Sequence, residues 1–212
     1  MMAPPEALVV LFGLVAAGST VGAAILVVGL HVLPTDVDAV QEGVSGYALG
    51  KWARLYRAQV VGCGVAAALI AVGCGALGVG SLAGLAALVV YAAARLAIVR
   101  YPTDPRGTVT LSTTGRTHAL LAAIAFLSLA VAAPTLGLPL AASAPWDRAG
   151  PVLYAVSAAV PVTVVATFAA GGWPPLRPLF GLAERTVYGT GLSWLFVVSL
   201  GLAASPLTTP GT

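Results

Sequence analysis

Six long apolar runs constrain this chain more than any motif does: Ala7–Leu33, Leu55–Leu77, Leu82–Val99, Thr117–Leu138, Pro151–Ala170 and Ala183–Ala204. Each can supply the ~20 residues a helix needs to cross a hydrocarbon core about 30 Å thick, with the third short and little tilted. Lipid offers the backbone no hydrogen-bond partner, so runs of this length span it as helices. The predicted fold is therefore all-α, a polytopic membrane protein with a six-transmembrane-helix bundle. Composition agrees. Hydrophobic residues make up 59% of the chain and charged residues 8%, where a soluble domain carries roughly 25% charged. Six spans and short loops account for all 212 residues, so a single integral membrane domain over residues 1–212 is expected. The expected partners are the lipid bilayer and a hydrophobic small-molecule substrate. The net charge of +3 reflects loop orientation and gives nucleic-acid binding no support.

Charge sets the expected orientation. The longer polar loops, Pro34–Arg54, Arg100–Arg116 and Gly171–Leu182, alternate with shorter ones. With their helix ends they hold Lys51, Arg54, Arg57, Arg95, Arg100, Arg106, Arg116, Arg177 and Arg185. The opposite side holds Arg148 alone. Such a bias in short loops predicts that the three long loops are cytoplasmic and both termini extracytoplasmic, with six spans in the plasma membrane. Met1–Glu6 carries no basic side chain, and the run that follows is too long for a signal-peptide core, so it reads as a retained first span.

Within the spans, Gly18 and Gly22 form a GxxxG in the first helix, as Gly80 and Gly84 do at the start of the third. Such positions let backbones approach closely in lipid, here within the bundle. Pro161 should kink the fifth helix. Cys63 and Cys74 read as small packing residues. Trp146, Trp173, Trp194, Tyr101 and Tyr154 read as interfacial anchors. A weak repeat (Pro-Thr-Asp at Pro34 and at Pro102, an Arg-Thr pair opening the fourth and sixth helices) suggests three related helical hairpins.

The candidate chemistry gathers on the basic side. Asp36, Asp38, Glu42, Asp104 and Glu184 lie there, as do His31 and His118, with Tyr47, Trp52, Tyr56 and Tyr188 close in sequence. Ionisable groups at membrane depth are costly and so mark candidate sites. The acids of the first loop admit three readings. One could be held protonated by its neighbours and act as a general acid, the set could chelate Mg²⁺ around a diphosphate, or the acids could pair with nearby bases. No cofactor is predicted, and Mg²⁺ enters only with a diphosphate substrate. Asp104 and His118 flank one hairpin loop and are expected to hydrogen bond, which would fix the tautomer of His118. P-loop, GxSxG and HExxH patterns are absent, and no GxGxxG phosphate cradle is present.

Three stretches at helix ends carry a resemblance. Glu42-Gly43-Val44-Ser45-Gly46-Tyr47-Ala48-Leu49-Gly50, then Tyr101-Pro102-Thr103-Asp104-Pro105 with Gly115 and His118, then Gly181-Leu182-Ala183-Glu184-Arg185 occur in order across nearly the whole chain. Together they resemble a bacterial membrane family known as domain of unknown function 998. The resemblance implies a six-helix membrane fold and marks Glu42, Ser45, Tyr47, Asp104, His118 and Arg185 as family positions. It supplies no reaction, and Gly46 stands where the family often has an acid.

A helical bundle with an acidic, aromatic mouth suits an amphiphile. The leading expectation is a membrane-embedded enzyme acting on an isoprenoid or lipid, most concretely a proton-initiated terpene cyclase. In it Asp38, Glu42, Asp104, Asp36, Glu184 and His118 would be catalytic candidates, and Tyr47, Trp52, Tyr56, Arg116, Arg185 and Tyr188 would line the substrate site. A carboxyl would protonate an alkene or epoxide, and aromatic faces would stabilise the cation. The alternative is non-catalytic lipid binding, transport or assembly.

Overall fold

A computed structural model describes residues 4–205. The expected extracytoplasmic ends at residues 1–3 and 206–212 lie outside the described residues. The α-helices are α1 (Pro4–Val32), α2 (Ala53–Ala76), α3 (Leu82–Ile98), α4 (Thr113–Leu140), α5 (Gly150–Gly172) and α6 (Phe180–Ala204). Short 3-10 turns cover Val44–Leu49, Trp146–Ala149 and Pro174–Leu179. Five helices are long and apolar enough to cross a membrane, and α3 is a shorter apolar helix of 17 residues, about 25 Å of rise. The chain is an integral membrane helical bundle.

Local chemistry sets the helix ends. Ser81 and Ser112 cap α3 and α4, their side chains accepting the Gly84 and Gly115 N–H groups at 3.1 and 3.0 Å. Each satisfies a donor that the first turn leaves free. The Ser112 cap starts α4 at Thr113, a turn before the apolar run at Thr117, so polar residues from 113 to 116 are helical. Gly78 and Gly80, at φ of 64° and 91°, make the tight α2–α3 turn in a conformation that favours glycine. α5 continues through Pro161.

Each helix packs on the next, and α1 packs back on α6, closing a ring; α6 also touches α2 and α4. The closure is tight where Gly13 of α1 meets α6: a Cβ there would lie 2.8 Å from the Ala203 Cα. Gly84 likewise lets α3 approach α4, its would-be Cβ 2.6 Å from Leu136 Cγ. Gly18 and Gly22 differ from expectation. Nothing lies within 4 Å of a Cβ at either, so this GxxxG makes no close contact inside the bundle.

Two expected anchors are core residues. Trp194 is completely buried and Trp146 nearly so. Their indole N–H groups donate to Ser157 Oγ at 3.1 Å and to the Val198 carbonyl at 3.0 Å. A buried indole needs an internal acceptor, and both have one. Trp173, Tyr154 and Tyr101 do lie exposed.

The three long connections meet at one end. Arg106 of the second reaches Glu42 and Gln41 of the first. The Leu182 N–H, at the start of α6, donates to the Val40 carbonyl at 3.0 Å. This end carries the candidate site.

Candidate functional site

The first connection folds back over the start of α6 because two glycines leave room. A Cβ at Gly181 would lie 2.8 Å from the Ala39 carbonyl oxygen and closer still to that of Glu42, and a Cβ at Gly43 would meet the Glu184 carboxylate. Through that gap Glu184, 5% exposed, accepts the Val44 N–H at 2.6 Å. Glu184 is therefore an anchor for the Val44–Leu49 turn, and that turn places Tyr47.

Arg185, the next residue, is the hub of this end. Its Nη1 donates to the carbonyls of Glu42 at 2.7 Å and Gly181 at 2.9 Å. Its Nη2 donates to the Tyr47 hydroxyl at 3.4 Å and its Nε to His31 Nε2 at 2.5 Å. His31 in turn donates from Nδ1 to the Val27 carbonyl at 2.6 Å, so the network makes it the neutral Nδ1–H tautomer. The Tyr47 ring packs edge-on against His31, centroids 5.7 Å apart, and under the Arg185 guanidinium at 5.9 Å.

Two concavities meet at this hub. On the loop side lies a pocket of about 630 Å³ whose walls include Asp36, Glu42, Tyr47, Lys51, Trp52 and Arg106. Trp52 is fixed by its indole N–H to the Pro34 carbonyl at 3.1 Å, with Lys51 Nζ 5.3 Å from its ring centroid. On the flank of the bundle lies a groove of about 580 Å³ between α1 and α6. Val21, Ile25, Val28, Leu192 and Phe196 give it apolar walls, and His31, Arg185 and Tyr188 close its loop end. Among the described residues no carboxylate lines the groove. Both volumes fall in the ~300–1,000 Å³ range of small-molecule sites.

Behind the groove wall is a group that the sequence reading counted only as an orientation signal. Arg95 of α3 is 3% exposed. Its two amino groups donate to the Tyr188 hydroxyl at 3.2 and 3.3 Å, with the guanidinium carbon 5.2 Å from the Tyr188 ring centroid. Its Nε is buried without a hydrogen-bond partner. Cys63, Tyr91 and Phe126 complete the enclosure, and Tyr56 lies within electrostatic reach. Among the described residues Arg106–Glu42, at 3.3 Å, is the one ion pair closer than 4 Å, so Arg95 is buried without a paired carboxylate. A lone guanidinium inside an apolar run is the signal that marks it.

The remaining candidates are spread along the loops. Asp38 accepts the Val40 and Gln41 N–H groups at 2.9 and 3.2 Å, and these bonds, Val40's first, hold its carboxyl below the usual carboxylate value. Asp104 accepts from the Ser112 N–H and hydroxyl, both at 2.7 Å, bracing the α4 cap. His118 is buried, and its Nδ1 donates to the Tyr101 carbonyl at 2.6 Å. The expected Asp104–His118 hydrogen bond is thus replaced: a backbone carbonyl orients the imidazole, and the α4 cap takes up the carboxylate. Arg116 is exposed and donates to the Leu111 carbonyl. Among the described residues no three His, Cys, Asp or Glu side chains converge as a metal site would need.

The structure therefore brings Glu42, Tyr47, Glu184 and Arg185 together, with Asp36 and Trp52 on the adjoining pocket wall and Tyr56 and Tyr188 beside Arg95. Asp38, Asp104, His118 and Arg116 serve their own loops and helix ends. Neither the curated proteins nor the solved structures include a match to the chain. A family model described as a protein of unknown function, DUF998, matches residues 14–201, which takes in α2 to α5 whole, most of α1 and α6, and every residue of the hub. The chain belongs to the DUF998 family of proteins of unknown function.

Proposed function

We propose that this protein binds a membrane amphiphile, an isoprenoid or other lipid, with its tail in the α1–α6 groove and its polar end at the Arg185 hub. The observation that carries this reading is the position of Arg185. It closes the apolar groove and, through the Tyr47 hydroxyl, adjoins the polar loop-side pocket. One ligand can then lie partly in lipid while its head meets water-borne reactants. Transport has less support, because α1 and α6 run unbroken past the groove, whereas transporter sites favour interrupted helices.

A catalytic version has one specific observation in its favour. Asp36 and Glu42 share the loop-side pocket with Tyr47 and Trp52, the acid and aromatic set that proton-initiated cyclisation requires. The groove itself offers no carboxyl, and this favours binding as the general statement. In the same proposal all six helices cross the plasma membrane, with the hub cytoplasmic and both termini outside.

The test is native mass spectrometry of protein purified in mild detergent and offered a panel of prenyl and acyl amphiphiles, with turnover followed in the same samples. Retention of a panel member supports the reading, and turnover lost in Glu42→Gln or Asp36→Asn supports its catalytic version. Failure to retain any amphiphile would overturn it. For orientation, external thiol reagents should label a Cys placed at the exposed Ala144, next to the buried Pro145, and miss one at Gly107; the reverse pattern rejects it.

A further inference from the structure

We infer that the occupant of the α1–α6 groove is an anionic lipid, its phosphoryl or carboxylate head received by the Arg185 guanidinium, which His31 holds at the end of the groove; this rests on the groove reading above. Charge is the first argument. Arg185 carries a full positive charge at the end of an apolar groove. Its contacts there are neutral acceptors: an imidazole, two carbonyls and a phenol. It has no carboxylate within 4 Å. The adjacent acid, Glu184, is turned toward the Val44 N–H.

A second positive charge reinforces the first. Tyr188 lines both the groove and the Arg95 enclosure, so Arg95 sits immediately behind the groove wall, nine-tenths buried, with an unpartnered Nε and no paired carboxylate. In a medium of low dielectric two such charges are weakly screened. Glu184 lies within electrostatic reach of both and Asp38 of Arg185, but two guanidiniums against one buried carboxyl leave a positive bias at the loop end of the groove. An anion relieves that field, whereas a cationic head would add to it. The acids Asp36 and Glu42 line the other pocket, on the far side of Tyr47.

The tail is left unspecified by the same geometry. Apart from its loop end the groove is nearly all apolar, and the Thr20 hydroxyl is already committed to the Ala16 carbonyl at 2.8 Å. Selectivity therefore resides in the head. Charge-assisted bonds to a guanidinium are roughly twice as strong as neutral ones, so an anionic head should win over a neutral one on the same tail by about tenfold or more.

The experiment compares a tail-matched pair, geranylgeranyl phosphate and geranylgeraniol, for affinity to the full chain in detergent. The expected result is a preference of about tenfold or more for the phosphate in the unmodified protein. Arg185→Gln should cut the ratio several-fold, weakening the phosphate far more than the alcohol, and Arg185→Lys should recover part of it. Equal affinities in the unmodified protein, or an undiminished ratio in a folded Arg185→Gln protein, would overturn the anionic head. Ala24→Trp, which fills the groove, separates the two claims. It should remove binding of both ligands, and if both still bind, the groove reading itself fails.

Discussion

Replacing Glu184 separates its role as an anchor from a role as a proton donor. The carboxylate is 5% exposed and accepts the buried Val44 N–H at 2.6 Å. Glu184→Ala strands that donor, at about 1–3 kcal/mol. It also removes one buried methylene, worth about 0.8 kcal/mol. Relief from burying a carboxyl offsets part of the sum, leaving a loss of roughly 2 kcal/mol. For a chain of this size each kcal/mol moves the melting temperature by about 2–4 °C, so Glu184→Ala should melt roughly 4–8 °C lower. Glu184→Gln keeps an acceptor oxygen of the same reach and should stay within about 1 kcal/mol. Thermal unfolding in detergent at neutral pH measures both, and hydrogen exchange should show the Val44–Leu49 amides loosened in the alanine protein alone. If alanine melts with the unmodified protein, or glutamine falls as far as alanine, the anchor argument is wrong.

Three further expectations concern the supporting structure. Gly115→Ala drives a Cβ into the Asp104 carboxylate and loosens the α4 cap; overpacking and cap loss together should cost about 2–3 kcal/mol in a thermal melt. Trp194→Phe leaves the buried Ser157 hydroxyl without its indole donor and should cost about 1–3 kcal/mol, while Trp173→Phe, at a 59% exposed site, should stay within about 0.5 kcal/mol. Asp38, its folded pKa lowered by the Val40 and Gln41 N–H groups, supports its loop fully above the model-peptide value of 3.8 and loses that support as pH falls through the lowered folded value. Amide exchange at Val40 and Gln41 should accordingly rise at acid pH, and Asp38→Asn should remove the dependence.

Hydropathy placed the six helices well because lipid leaves the backbone no alternative, and the observed ends fall within a few residues of the apolar runs. It could not say which way a side chain faces. α5 is apolar around its whole circumference, so no stripe marks its buried side. Trp146, at a helix end, looks the same in sequence whether it meets lipid or Val198, whereas Trp194 lies midway along α6, too deep for an interfacial anchor. The Asp104–His118 expectation failed for a related reason. Proximity in sequence does not reveal that a serine hydroxyl and a backbone carbonyl compete for the two groups. Arg95 was legible in principle, as a cation inside the run Leu82–Val99, but counting it with the loop charges hid its burial. Glu42 and Tyr47 were legible as an acid and an aromatic of the polar first loop and Arg185 through its family stretch, and their convergence became visible only once Gly43 and Gly181 were seen to admit one chain segment against another.

The central claim is that the α1–α6 groove is a lipid site rather than one more lipid-facing surface. A photoreactive amino acid at Ile25 or Leu192, both in the groove, should crosslink in the native membrane to a narrow set of lipids. The same probe at Val165 or Val89, exposed on α5 and α3 away from it, should report bulk bilayer composition. Mass spectrometry of the adducts measures the difference, and an anionic species enriched at Ile25 and Leu192 alone is the predicted result. The same lipid mixture at all four positions would contradict the account.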